Sequence, residues 1–217
     1  MKYPALRREI VAACQDMNRR GINQGTSGNI SARVAEGLLI TPSGLPYDEM
    51  KVADIVPMKT DGSHAGRLKP SSEWRFHTSI MATRPEVGAI VHTHSMFATT
   101  LSCLGLEIPA VHYMIAAAGG SNIRCVPYIT YGTQELADAA LKALEGRNAC
   151  LLANHGMIVV GPTLKRAMWL AVEVETLAAQ YWRALQVGKP NILTEAQIKT
   201  VMEKFQTYGQ PQPATCC

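Results

Sequence analysis

Val91-His92-Thr93-His94 sets two imidazoles two residues apart in a run of strand-like composition. Alternate side chains of a strand share a face, so His92 and His94 project together, within reach of one ion. Alone, a His-x-His reads first as ordinary polar positions at a strand end. His155 adds a third imidazole in Ala153-Asn154-His155-Gly156, a turn between two apolar runs, where a polar side chain can enter a site without crossing the core. Three neutral imidazoles suit a catalytic zinc, because a structural zinc takes four protein ligands and commonly several thiolates. A fourth position is then left for substrate, and imidazole ligands accept cobalt or manganese as well.

Glu73 follows Pro70-Ser71-Ser72 in the predicted first turn of a helix and fits two roles. As a terminal carboxylate it complements the helix dipole. Beside a cation it stays ionised and can take a proton from a carbon acid. The segments Gly25-Thr26-Ser27-Gly28-Asn29, Thr41-Pro42-Ser43-Gly44 and Ser71-Ser72 are small and hydroxyl-rich. Each can turn backbone N–H groups toward a phosphate, the last at a helix N-terminus, and each also suits a plain turn or cap. None has the spacing of a nucleotide-binding loop. His64 and His77 read as surface or structural residues, and His112 lacks a partner at ligand spacing.

The elements that must position these groups follow from periodicity. Leu6, Ile10, Cys14 and Met17 mark an amphipathic first helix that Gly21 stops. Apolar runs at 30–34 and 38–41 flank Ala35-Glu36-Gly37 as a hairpin, and a second pair of extended segments is predicted around 61–66. A helix from Ser71-Ser72 ends before Pro85, and a strand over 87–92 leads to a helix over 98–104. Further strands are predicted at 125–129, 149–153 and 157–160, and further helices at 133–144, 163–186 and 194–205, the last with Thr194 and Gln197 as a capping box. Early hairpins followed by mixed strands and helices imply an α/β fold, a single domain over 1–217 with a central, mainly antiparallel sheet flanked by helices.

Length and composition agree with one core: 217 residues, 47% hydrophobic and 18% charged. The net charge of +4 is scattered over separate basic pairs, which argues against nucleic acid and suits an anionic substrate. No apolar run approaches the roughly 18 residues of a membrane span. The N-terminus mixes Glu9 and Asp16 with its basic residues, unlike a secretory signal, and a cytoplasmic protein is expected. The six cysteines form no CxxC pair, and Cys216-Cys217 ends a Pro/Gln segment that reads as a frayed terminus.

Taken in order along the chain, Asn23-Gln24-Gly25-Thr26-Ser27-Gly28-Asn29, Ile40-Thr41-Pro42-Ser43-Gly44, Pro70-Ser71-Ser72-Glu73-Trp74-Arg75-Phe76-His77, Val91-His92-Thr93-His94, the segment 108–120, Asn154-His155-Gly156 and the segment 203–209 resemble the class II aldolase/adducin-type family. The resemblance covers nearly the whole chain and is nearest to the family's L-fuculose-1-phosphate aldolases. It implies that His92, His94 and His155 bind zinc, with Glu73 in the fourth position at rest and acting afterwards as acid and base. It implies that Asn29, Ser43, Gly44, Ser71 and Ser72, helped by Thr26 and Gly28, hold the substrate phosphate. Tyr113 resembles the tyrosine that reaches the aldehyde oxygen across a subunit boundary of a homotetramer whose sites lie between subunits. Tyr131 and Tyr208 fall at substrate-pocket positions, the latter on a C-terminal tail expected to be mobile from about residue 206. The implied reaction is zinc-dependent cleavage of a ketose 1-phosphate, either L-fuculose 1-phosphate or a 5-deoxypentulose or methylthioribulose 1-phosphate, to dihydroxyacetone phosphate and an aldehyde. The same scaffold carries a pentulose-phosphate 4-epimerase, a methylthioribulose-1-phosphate dehydratase and non-enzymatic adducin-like modules. The lack of any Asp or Glu between Glu107 and Glu135 follows the aldolase pattern rather than the epimerase one.

Overall fold

The apolar repeat of the first segment forms α1 (Pro4–Arg19), with Ile10, Cys14 and Met17 buried along one stripe. In this computed structural model, which describes residues 1–208, the hairpin follows as β1 (Asn29–Val34) and β2 (Gly37–Ile40). Residue 209 and the Cys216-Cys217 end lie outside the described residues. β3 (Val56–Met58) adds to β2, but the second extended segment predicted near 61–66 shrinks to a single bridge from Met58 to His64. The chain curls there because Asp61 Oδ1 accepts the Ser63 N–H at 2.8 Å, and the ring of Trp74 packs where a Gly62 side chain would stand.

α2 (Trp74–Thr83) begins after Glu73, so Glu73 occupies the cap position rather than the first turn. β4 (Ala89–Thr93) is buried throughout and leads into α3 (Met96–Cys103). A short β5 (Ile108–Pro109) and a 3₁₀ turn (Tyr113–Ala118), neither expected from periodicity, precede β6 (Asn122–Val126). That strand lies about three residues before the predicted one. Pro127 has no N–H for the ladder, so the β-favouring residues beyond it leave the sheet. α4 (Gln134–Ala143) is capped by Thr133, and β7 (Ala149–Leu152) and β8 (Gly156–Gly161) form an antiparallel pair around the His155 turn. α5 (Leu164–Val187) and α6 (Glu195–Phe205) complete the described fold, the latter with the expected capping box of Thr194 and Gln197.

Among the described residues eight strands form one sheet in the order β3-β2-β1-β4-β8-β7-β6-β5, antiparallel except between β6 and β7. Because strand side chains alternate, β4 sends Ala89 and Val91 into a core with α1, α3 and α5. Ile90 faces the opposite way, into a core built by Phe76, Ile80, Leu136 and Ala140 of α2 and α4. Helices thus cover both faces, and β4, which carries His92, lies in the middle. Glu175 on α5 fixes the start of α3: its two carboxylate oxygens accept the N–H groups of Phe97 and Ala98 at 2.8 and 2.9 Å. Those N–H groups have no partner within the helix, so the carboxylate also complements its dipole.

Candidate active site

His92, His94 and His155 converge as the sequence spacing predicts, and Glu73 joins them. One ligand atom from each of the four lies within 4.8 Å of the others. The imidazole centroids are 5.0, 4.8 and 4.9 Å apart, a nearly equilateral triangle assembled from the end of β4 and the β7–β8 turn. Asn154, with φ 55°, reverses the backbone immediately before His155 and so aims its ring at β4. Asparagine is one of the few residues that tolerates this left-handed conformation.

Hydrogen bonding assigns the ring orientation of His92. Its Nδ1 lies 2.9 Å from the Met157 carbonyl, which can only accept, so Nδ1 carries the hydrogen and Nε2 faces the cluster with a lone pair. That Nε2 is 3.1 Å from His94 Nε2 and 3.1 Å from Glu73 Oε2, while His155 Nε2 is 3.2 Å from Glu73 Oε1. Glu73 Oε1 is buried without a well-formed hydrogen bond. The His92 Nε2 lone pair and the Glu73 carboxylate face one another across 3.1 Å, which calls for positive charge between them. A proton on one imidazole supplies one unit, and a divalent cation held by nitrogen and oxygen ligands supplies two. The donor set therefore fits a metal.

Titration follows the same logic. Burial opposes charge on Glu73, yet His92 and His155 override it and hold the carboxyl far below the usual range. Burial also opposes charge on His92, but the Glu73 carboxylate outweighs it and raises the pKa. Burial and then the neighbouring His92 push His94 down to about 4. His77 is pushed down to about 3 by complete burial and by His92, so it is a neutral interior residue rather than a surface one. His64 is exposed, and His112 Nδ1 accepts the Met114 N–H at 3.2 Å to start the 3₁₀ turn.

Beside the four clustered residues lies a cleft of about 360 Å³, lined by Thr26, Ser27, Ser72, Glu73, His94, Tyr128, Ile129, Tyr131, Asn154 and His155. Thr26, Ser72 and Tyr131 thus meet the cleft. Ser43 and Gly44 are exposed in a loop joined to the Ser71 segment through Ser43 N–H to Lys69 O and Ser71 N–H to Thr41 O, at 3.1 and 2.9 Å. Asn29 pairs with His92 across β1 and β4, and its Nδ2 donates to Glu73 Oε2 at 3.0 Å. Tyr113 and Tyr208 do not line this cleft; they flank Phe205, with centroids 6.5 and 6.4 Å away, and are 49% and 86% exposed.

Three contributors escaped the sequence reading. Tyr128 and Ile129 wall the cleft because Pro127 releases them from the sheet. Asn23 ties the loop to the cluster: its Oδ1 accepts from Ser27 Oγ at 3.3 Å and lies 3.5 Å from the His94 N–H. Gly28 owes its small size to this packing, since an added Cβ would fall 2.6 Å from both Asn23 Oδ1 and the His92 carbonyl oxygen. Gly28→Ala is expected to lose about 1–3 kcal/mol of stability through overpacking, read from the urea midpoint at constant slope.

A family model described as Class II Aldolase and Adducin N-terminal domain matches residues 8–182. The chain belongs to that family. A 5-methylthioribulose-1-phosphate/5-deoxyribulose-1-phosphate aldolase of Rhodospirillum rubrum is 56% identical over 205 residues, covering 94% of this chain and 93% of its own. The L-fuculose phosphate aldolase of Escherichia coli is 46% identical over 210 residues, covering 96% of this chain and 98% of its own. A solved structure of an L-fuculose 1-phosphate aldolase superposes with a TM-score of 0.92 at 39% identity, covering 95% of this chain and 98% of that one. The chain is a class II aldolase, and its histidines and glutamate form a group able to bind the metal on which this class depends.

Proposed function

We propose that this aldolase is zinc-dependent and cleaves a ketose 1-phosphate to dihydroxyacetone phosphate and an aldehyde. The observation that carries this reading is the convergence of three imidazoles and one carboxylate beside a cleft rimmed by hydroxyl and backbone groups. His92, His94 and His155 would hold the ion, with Glu73 as its fourth ligand at rest. Bound there, zinc supplies a Lewis acid that takes up the charge released when a carbon–carbon bond parts.

The protein's own groups do the rest. Thr26, Gly28, Asn29, Ser43, Gly44, Ser71 and Ser72 hold the phosphate through hydroxyl, amide and backbone N–H groups, and this remote binding energy sets the reacting carbons in place. Tyr113, acting as its phenolate, accepts the proton of the C4 hydroxyl as the C3–C4 bond breaks and the aldehyde forms, and afterwards returns that proton to solvent. Glu73, once it leaves its resting position and takes up a proton from solvent, delivers that proton to C3, and synthesis retraces these steps. Tyr113 is half-exposed and apart from its own chain's cleft, which supports its serving the site of a neighbour in a homotetramer. Tyr131 and Tyr208 select the aldehyde portion.

5-Deoxyribulose 1-phosphate and methylthioribulose 1-phosphate rank first as substrates, by analogy with the 56% identical aldolase, and L-fuculose 1-phosphate second. The bare hydrocarbon or thioether end of the first two suits an aromatic wall such as Tyr128 and Tyr131. Among the described residues no helix is long and apolar enough to cross a membrane, and a cytoplasmic location is proposed on the reading of the substrate as a phosphorylated sugar. A coupled assay for dihydroxyacetone phosphate on each of the three substrates tests the reading, with the 5-deoxy and methylthio compounds expected to give the higher kcat/KM. Stereoisomerisation at C4 or loss of water, without dihydroxyacetone phosphate, would move the protein to the epimerase or dehydratase branch of the scaffold.

A further inference from the structure

We propose that His77 is a positioning residue for Glu73, acting through Asn29 by way of a buried Ser31–His77–Asn29 hydrogen-bond chain. This rests on the reading of Glu73 as the group that exchanges the C3 proton.

His77 and Ser31 are completely buried, and Asn29 nearly so. His77 stands in α2 four residues after the cap residue Glu73, and Asn29 bridges the two side chains. Its Nδ1 lies 2.7 Å from Ser31 Oγ and its Nε2 lies 2.6 Å from Asn29 Oδ1. The donors can be assigned from the carboxylate outward. The Glu73 carboxylate only accepts, so Asn29 must present its N–H₂ to Oε2, and its carbonyl oxygen is thereby turned to His77. An amide oxygen also only accepts, so His77 Nε2 carries the ring hydrogen. A neutral imidazole has one N–H, so Nδ1 has a lone pair and receives the hydroxyl hydrogen of Ser31. Every link donates toward Glu73.

The chain therefore settles a choice that Asn29 cannot make alone. With its amide reversed, an oxygen would face the carboxylate and an N–H₂ would face another N–H, leaving two buried mismatches. In the observed orientation the amide N–H offsets part of the burial of Glu73 and fixes where Oε2 points. A general acid or base acts only if its oxygen lies on the line of proton transfer, so a residue that fixes that oxygen tunes the transfer step without touching the substrate.

The experiment uses zinc-loaded protein with metal content measured for every variant. Exchange of the C3 proton of saturating dihydroxyacetone phosphate with deuterated water is followed by NMR, alongside KM for the ketose phosphate. His77→Leu keeps bulk but removes both hydrogen bonds, and is expected to slow exchange about 10- to 100-fold at full metal content with KM unchanged. His77→Gln retains a donor near the Nε2 position and is expected to recover most of the rate. Ser31→Ala, a smaller change in packing, frees the ring to adopt the other tautomer and is expected to slow exchange by less than His77→Leu. The proposal is overturned if both His77→Leu and Ser31→Ala exchange at the parental rate, or if His77→Gln is no better than His77→Leu. It is equally overturned if the loss follows the metal content, or is confined to KM, which would assign the chain to phosphate holding. Parental protein that exchanges no C3 proton would instead overturn the assignment of Glu73, and is recognised before any variant is compared.

Discussion

His92→Ala is expected to leave a protein that holds no stoichiometric metal after dialysis and cleaves substrate about a thousandfold more slowly or worse, since a Lewis acid contributes several kcal/mol to such a transition state. Of the three candidate imidazoles, His92 is the most tightly held. It is fully buried, its Nδ1 is committed to the Met157 carbonyl, and its strand is paired on both sides by β1 and β8. No other described His, Cys, Asp or Glu stands near enough to replace it, because the described groups able to gather around a cation reduce to Glu73 and the three histidines. Elemental analysis of the dialysed variant, beside the dihydroxyacetone phosphate assay, checks both halves of the expectation. Retention of one tightly held ion by His92→Ala would mean that the imidazole triangle is not the metal site.

Glu73→Gln is expected to separate binding from proton transfer. Glutamine keeps the volume and an oxygen, while three imidazoles remain to hold the ion, so metal content should stay near the parental level. The lost group is the one that can carry a proton, and exchange at C3 of dihydroxyacetone phosphate should fall by about 10²- to 10⁴-fold, the usual range for one acid–base residue. Exchange by Glu73→Gln at the parental rate would remove Glu73 from the reaction. Loss of the metal together with the exchange would recast it as an obligatory ligand.

The two substitutions probe features of unequal visibility in the sequence. His92 and His94 could be read directly, because strand alternation converts a two-residue spacing into a shared face. His155 was legible through the apolar runs on either side, which require a turn between β7 and β8. Helices with strong patterns and caps, such as α4, α5 and α6, fall close to their predicted bounds. What stayed hidden depends on register. Asn29 lies opposite His92 because β1, rather than the sequence neighbours of β4, pairs along its edge, and nothing local encodes that choice. The contact between Asn29 and Glu73 and the burial of His77 against Ser31 follow from the same pairing. The displaced strand at β6 has a different cause: Tyr128 and Ile129 are good strand formers by composition, but one proline ends the ladder before them.

The left-handed turn at Asn154 separates the durability of the scaffold from that of its chemistry. A β-branched residue there would disfavour the turn by about 1–2 kcal/mol, a strain most domains survive. The cheapest relief is to rotate the next residue outward, and the sheet and helices would persist around a triangle missing one corner. A lineage could thus shed catalysis through a single codon at residue 154 while keeping a sound body for other uses.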